Sequence, residues 1–494
     1  MLNIKSIIET FSAEEQIQFS NYLESKNKRN DTKNVELFKL LSKEDLNSKE
    51  ICQKLYGKQN RPAYHALRNR LFNSLIDFTA NKNLEGENSV DMQIIKYLLA
   101  SRSFLLQKNY KVAFKLLDKA ENLADEHSLF PILNEIYHTK IQYSHTFAKA
   151  DINDLILKQQ QNRIYLQHED DLNIIYSKLK SILNDINRKG EIINIEATLK
   201  TLLAEHNITL NDSLSYKSLY QLLSIFDVSA YVTKDYSSIR DFAIECYDIL
   251  NEKKNLVKQV HYRIHCLYII ANTHFRNRLF TESMDYINEM EELIHQNRGN
   301  LLKDFKLKIT LIKALNLNYT NNQEDAIILI ESIKDKNHSD IESLLDLKLC
   351  LAMFYFQNEE LKKAKSIISK FYHTDEWYKD KAGLDWVIKK NLVEILLYLE
   401  MNEDDLYTSR IRSFRRKYSL YLKESNQDNI LYFLKLVGNF YKNGYQLEDT
   451  YLISITTNDL SKVDIFTLSF HAWIRSKIEN ENLYKTTINL LNSN

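Results

Sequence analysis

The sequence predicts an all-α protein, an α-solenoid of stacked antiparallel helix pairs preceded by a small helical module. Three observations carry this reading. First, 494 residues contain only 7 Gly and 2 Pro. Sheet-rich chains need many tight turns, and tight turns need those residues. Second, the stretch Leu345–Phe371 has a large-small-large pattern in two halves. Leu351, Ala352 and Tyr355 share one face of a first helix, Asn358-Glu359-Glu360 makes a turn, and Ala364, Ile368 and Phe371 share one face of a second. Two such helices approach closely at the alanines and interlock at the aromatics. Third, a pair like this cannot bury its apolar face alone, and copies of it recur along the chain.

Composition narrows the function classes. The 66 basic and 66 acidic side chains cancel. A protein that coats nucleic acid or membrane over its whole surface is therefore not expected, although a local basic patch is compatible with neutrality. Apolar residues make up 44 %, ordinary for a folded chain. Length alone suggests about three domains, but a solenoid grows by addition. Cys52, Cys246, Cys266 and Cys350 are scattered without a CxxC pair, which fits reduced thiols in a reducing compartment. The first residues lack the apolar stretch of a signal peptide, and no run approaches the ~18 apolar residues of a spanning helix. The expectation is a soluble, cytoplasmic protein. Heavy use of Lys, Asn, Ile and Tyr points to an AT-rich bacterial genome.

Residues 1–85 read as a separate module. Ser12 with Glu15 has capping-box spacing, and a helix over Ala13–Leu23 follows. Further helices are predicted over Asn34–Leu41 and Ser48–Tyr56, the latter ended by Gly57. The turn Lys58–Arg61 leads to Pro62, suited to the first helical position. The helix Ala63–Thr79 carries Leu67, Leu71, Leu75 and Phe78 at helical spacing. Short helix, turn and longer helix resemble a helix-turn-helix or winged-helix core. Between Lys49 and Arg70 stand six basic residues (Lys49, Lys54, Lys58, Arg61, Arg68 and Arg70) against Glu50 alone. Polar Asn81–Val90, with Gly86, reads as the domain boundary, leaving 90–494 to the solenoid and its C-terminal capping helices.

The repeats begin at Ile94. Tyr97, Ala100 and Phe104, then Ala113, Leu117 and Ala120, reproduce the pair, and Pro131 follows it, where a helix cannot continue. Weaker pairs are Ile132–Lys149 with Ile152–Leu166, and Leu172–Asn187 with Glu191–Glu205, turning near Gly190. Then come Leu214–Val232 with Ser237–Leu250, the clear copy Ile264–Leu293, and one around Ala314, Leu317, Ala326, Ile330 and Ile333. Val387–Glu400 with Leu406–Tyr418 follows the organising pair. Asn429–Tyr441 and a last pair ending at Arg475–Ile478 close the chain, with Asn492-Ser493-Asn494 as a polar end. The equivalent small residues Ser283, Ala326, Ala364 and Ser409 are 43, 38 and 45 apart.

Ala100/Phe104/Ala113/Leu117/Ala120 and Ala352/Tyr355/Ala364/Ile368/Phe371 resemble the tetratricopeptide repeat (TPR) superfamily over roughly residues 94–420. The period exceeds the TPR value of about 34. Arg412-Ser-Phe-Arg-Arg416 and the N-terminal module also resemble a large uncharacterised family of bacterial cytoplasmic TPR-like proteins. The resemblance implies protein or peptide binding along a concave face lined by the first helix of each pair. Its groove residues here are His265, Tyr268, Asn272, Phe275, Lys308, Met353 and Phe356. In the TPR carboxylate clamp, Asn272 and Lys308 match two positions, but Tyr268 replaces a Lys and Ile312 an Asn. Capture of a peptide C-terminus is not expected.

Other constellations are weaker. Lys58, Arg61, His65 and Arg68 suit phosphate or DNA-groove contacts, against the reading of a solvated cap helix. His261 and His265 have metal-ligand spacing beside Cys266, but Tyr262, Arg263 and Ile264 between them supply no acid, so no metal is expected. Arg410, Arg412, Arg415, Arg416 and Lys417 suit an acidic partner, or else intramolecular pairing with Glu403, Asp404, Asp405 or the next helix. Trp377, Trp386, Tyr355 and Phe356 read as core. No nucleophile elbow, phosphate loop or fixed carboxylate pair is present, so neither an enzyme nor a cofactor is expected. Two functions remain: a scaffold or adaptor that binds a protein through the concave face, or a regulator that binds DNA through the N-terminal module. Self-association through incomplete repeat ends is a third reading.

Overall fold

Helices make every regular element among the described residues, and no strand occurs there. The computed structural model describes residues 4–9, 11, 13–26, 33–43, 47–86, 90–147, 151–186, 195–206, 214–233, 236–253, 259–296, 302–333, 340–425, 427–443 and 465–492. The fold is all-α, with neighbouring helix pairs packed on one another in the manner of an α-solenoid. The chain divides into two compact units, Met1–Gln159 and Gln160–Asn494.

The first unit opens with α1 (Ile4–Glu9), α2 (Ala13–Ser25), α3 (Lys33–Lys43), α4 (Ser48–Tyr56) and α5 (Arg61–Gly86). These five share a core of their own, and α3 touches the other four. Phe19 is fully buried, 4.9 Å from Phe38 and 5.2 Å from Phe78 between ring centroids. Leu67, Leu71 and Leu75 are buried as their spacing predicts. Ser12 lies outside the described residues. The capping box that is seen belongs to α4, where Asn47 accepts from the Glu50 N–H and the Glu50 carboxylate accepts from the Asn47 N–H. Gly57 ends α4 at φ +69°, a left-handed conformation that glycine adopts without a steric penalty. Helix α5 outruns its predicted end and takes up the first half of the expected 81–90 linker. Helices α6 (Val90–Leu106), α7 (Tyr110–Glu126) and α8 (Phe130–Tyr143) then pack in sequence, with Ala113, Leu117 and Ala120 fully buried.

Helix α9 runs unbroken from Ile152 to Asn184. This corrects the reading of two helices separated near 167–171. Gln167-His-Glu-Asp-Asp171 is polar enough to resemble a loop, but it holds no Gly or Pro, and every residue in it tolerates a helix. Gly190, the predicted turn, lies outside the described residues.

The second unit continues with α10 (Ile195–Glu205), α11 (Tyr216–Thr233) and α12 (Ser237–Glu252). Its clearest pairs are α13 (Val260–Arg276) with α14 (Phe280–Gln296), α15 (Leu302–Tyr319) with α16 (Gln323–Glu331), and α17 (Ile341–Gln357) with α18 (Leu361–Ile368). A short helix not foreseen, α19 (Asp375–Ala382), precedes α20 (Leu384–Glu400) and α21 (Asp404–Glu424). Then come α22 (Asp428–Lys442), α23 (Ile465–Glu479) and a further unforeseen helix, α24 (Leu483–Asn492). Ala352 and Ala364 of the organising pair are both fully buried. Ser283 plays the same part and donates to the Ala271 carbonyl at 2.8 Å. Ser409 does not: it is exposed, and Tyr407 is buried in its stead. In α14, α16 and α18 the small residue stands three beyond the helix start, and in α21 that place is Tyr407.

One turn recurs inside the pairs. Lys108, Arg278, Asn321, Glu359 and Asn402 all have φ between +55° and +65°, each two residues before its second helix. The following N–H bonds back to the sixth residue, as in Glu360 to Tyr355 at 2.9 Å, Leu279 to His274 at 2.9 Å and Asn109 to Phe104 at 2.8 Å. This is the Schellman ending, usually made with glycine. Here Lys, Arg, Glu and Asn hold the left-handed position, which explains how a solenoid is built with so few glycines.

Candidate functional site

The first helices α11, α13, α15 and α17 pack side by side, and α17 meets α20. Their shared face borders a cavity of about 410 Å3, with contributions from α9 and α23. Much of its wall is apolar or aromatic: Phe275, Leu311, Leu315, Tyr319, Leu349, Met353, Phe354 and Trp386. Charged groups are set into that wall. Asp385 accepts from the Tyr231 hydroxyl at 2.9 Å and pairs with Lys389 at 2.7 Å. Asp227 accepts from Asn272 Nδ2 at 3.4 Å. The Arg276 guanidinium lies 5.5 Å from the Tyr236 ring centroid. Burial pushes the Asp227 carboxyl up to about 6, against the pull of Asn272, Arg276 and Lys180. Burial, and then Glu342, push Asp346 up to about 7, against Lys389 and Arg276. An apolar wall disfavours the charged form unless a counter-ion is close.

The residues named from the sequence separate into three groups. Phe275 and Met353 line this cavity, and Asn272 touches it through Asp227. His265, Tyr268 and Lys308 form a neighbouring cluster. Lys308 Nζ sits 6.0 Å from the Tyr268 ring centroid, and the His265 ring packs 4.6 Å from Phe305 and 4.7 Å from His261. Burial, with His261 and Lys308 adding to it, lowers His265 to about 3, so the imidazole is neutral at physiological pH. Phe356 is only 3 % exposed and belongs to the core. Among the described residues no three His, Cys, Asp or Glu side chains gather as metal ligands.

The charged wall was not foreseen. Asp346 and Cys350 sit among Leu345, Leu347 and Leu349 on a first helix, and a carboxylate set between leucines there is the signal that marks the site. Trp386, read as core, is core and cavity wall at once. Its ring stacks on Tyr378 at 5.1 Å.

In the first unit, Lys58, Arg61 and His65 are exposed and Arg68 is half-buried. Arg61 and His65 share a shallow cleft with Lys49, Gln59 and Tyr64. Gln59 Nε2 donates to the Lys49 carbonyl at 3.0 Å and ties the turn to α4. Lys58 does not line this cleft.

The cationic run of α21 is engaged within the chain, in part with the next helix, as the intramolecular reading of the sequence expects. Arg410 pairs with buried Glu394 at 3.0 Å, Arg415 donates to the Leu434 carbonyl at 3.1 Å, and Lys417 pairs with Asp375 at 2.9 Å. Glu403 pairs with Lys365. Arg412 and Arg416 are exposed. No described helix is long and apolar enough to cross a membrane. No protein-family model matches this chain, and no curated protein matches it.

Proposed function

We propose that this protein is a non-enzymatic scaffold or adaptor that binds a segment of a partner protein on the face made by its first helices. One observation carries the reading: a single cavity is bordered by the first helices of successive pairs, α11, α13, α15, α17 and α20. Stacked pairs offer an extended surface of many modest contacts, the usual setting for protein recognition in repeat folds. The TPR resemblance and a bacterial cytoplasmic setting agree with it. The test is affinity capture from lysate with the full chain and with a Lys308→Glu, Met353→Gln variant. Both side chains are half-buried, so the helices should persist by circular dichroism. Loss of a partner from the variant supports the face, and a partner held equally by both sinks it.

A second reading rests on the cleft that brings Lys49, Arg61 and His65 together beside the α4–α5 turn. In that reading the module contacts phosphates, and the protein is a DNA-binding regulator. Binding would fall steeply with salt and vanish with Arg61→Glu and Arg68→Glu. Nucleic acid retained by the double variant retires it.

A further inference from the structure

The cavity's charges do not balance. Asp227, Glu342, Asp346 and Asp385 face Lys180, Arg276 and Lys389, four acids against three bases. Asp385 has Lys389 and Tyr231, and Asp227 has Asn272. Asp346 is left with the repulsion of Glu342 on its own helix and only the distant attraction of Lys389 and Arg276 from α20 and α13. Tyr231 of α11 and Tyr268 of α13 also feel its field, as do Asp340 and Cys350 on its own segment. A second polar group is also unsatisfied. Trp386 lines the cavity at 4 % exposure, and its indole Nε1 has no hydrogen-bond partner among the described residues. A buried donor without an acceptor is costly. The site therefore holds a carboxyl with no close counter-ion and an indole donor with no acceptor among the described residues.

We infer that the cavity takes a lysine or arginine side chain on an extended partner segment, with Asp346 as its counter-ion and a main-chain carbonyl accepting from Trp386. Both missing groups then come from one residue. Aromatic rings in the wall suit the aliphatic stem and the cation. The volume is within the ~300–1,000 Å3 usual for ligand sites, so flanking residues of the segment enter as well. The described groups do not converge as metal ligands, which favours an organic cation. This inference rests on the first-helix face being the binding face.

The probes are the acetylated, amidated pentapeptides Ala-Ala-Arg-Ala-Ala, its Lys counterpart, and its citrulline counterpart, which keeps shape and loses charge. Each is titrated calorimetrically into the full chain at pH 7 in two buffers of different ionisation heat. Expected are at least ten-fold tighter binding of the Arg or Lys peptide than of citrulline, and proton release on binding, since a cation beside Asp346 drives its ionisation. Asp346→Asn should remove both effects. Equal binding of Arg, Lys and citrulline peptides overturns the inference, as does discrimination that survives Asp346→Asn or no binding of any peptide. The peptide comparison on the unaltered chain does not depend on the variant's folding. If the peptides fail while the Lys308→Glu, Met353→Gln variant still loses its partner, the cation is retired and the face stands.

Discussion

Replacing Asp346 with Asn should stabilise this protein at alkaline pH and hardly at all in acid. The carboxyl titrates at about 7 in the fold against 3.8 in the open chain. Between those values the folded state holds a proton that the unfolded state has lost. Stability therefore falls as pH rises from about 4 to about 7 and then levels. The gap is roughly three pH units at about 1.4 kcal/mol each, on the order of 4 kcal/mol. Asp346 is half-buried and faces a cavity that admits water, which screens the charge and brings the figure to roughly 2–4 kcal/mol. Asparagine keeps the shape and does not ionise. Every other titrating group is common to both proteins, so the difference between them isolates Asp346. For a unit of about 330 residues, ~1 kcal/mol moves Tm by roughly 1.4 °C. The variant should melt roughly 3–6 °C above wild type at pH 8, with the gap closing toward pH 4.5. Differential scanning calorimetry across pH 4.5–8.5 measures it. A gap of constant size, or a wild type that gains on the variant as pH rises, refutes the argument.

Two further predictions test the frame around the site. Asp375 accepts from buried Lys390 at 3.0 Å and from Tyr418 at 3.1 Å, and pairs with Lys417. Burial opposes its ionisation, but the two lysines outweigh this and hold the carboxyl well below the usual range. Its stabilisation is present above the open-chain value and lost as pH falls through the folded one. Asp375→Asn should cost about 3 kcal/mol at pH 7, because it leaves Lys390 buried with its counter-ion weakened. Urea melts should show that cost shrinking below pH 4, and a cost that is constant with pH contradicts the pairing. The recurring turn makes the other prediction. Lys108 is exposed at φ +61°, so Lys108→Gly should stabilise by roughly 0.5–1 kcal/mol, whereas Gly57→Ala should destabilise by a similar amount although its Cβ meets nothing. Chemical denaturation reads both, and a destabilising Lys108→Gly would show that the turn carries no strain.

Much of the architecture was legible in one dimension. Alanines 352 and 364 sit at a helix contact because only a small side chain fits there, and that requirement is written in the residue itself. The leucines of α5 are buried for the same local reason, a 3.6-residue period with one apolar face. Legibility failed where the signal was merely polar. The 167–171 segment resembles a loop in the sequence because polarity marks exposure, and an exposed helix is as polar as a loop. Ser409 matches the other small residues by type, but its helix starts at Asp404, and the place three residues on is Tyr407.

The binding cavity was the least legible feature. His265, Tyr268 and Lys308 hold groove places in the repeat pattern, and they lie beside the cavity. Asp346, Arg276 and Lys389 come from three helices, far apart in sequence. By itself, then, the sequence determined the helical class, the pairing of helices and most of their buried faces, because periodicity and side-chain size act within a few turns of chain. The tertiary structure alone decided which charges share one apolar enclosure, because a carboxylate's partners and its solvation depend on what other helices bring within a few ångströms of it.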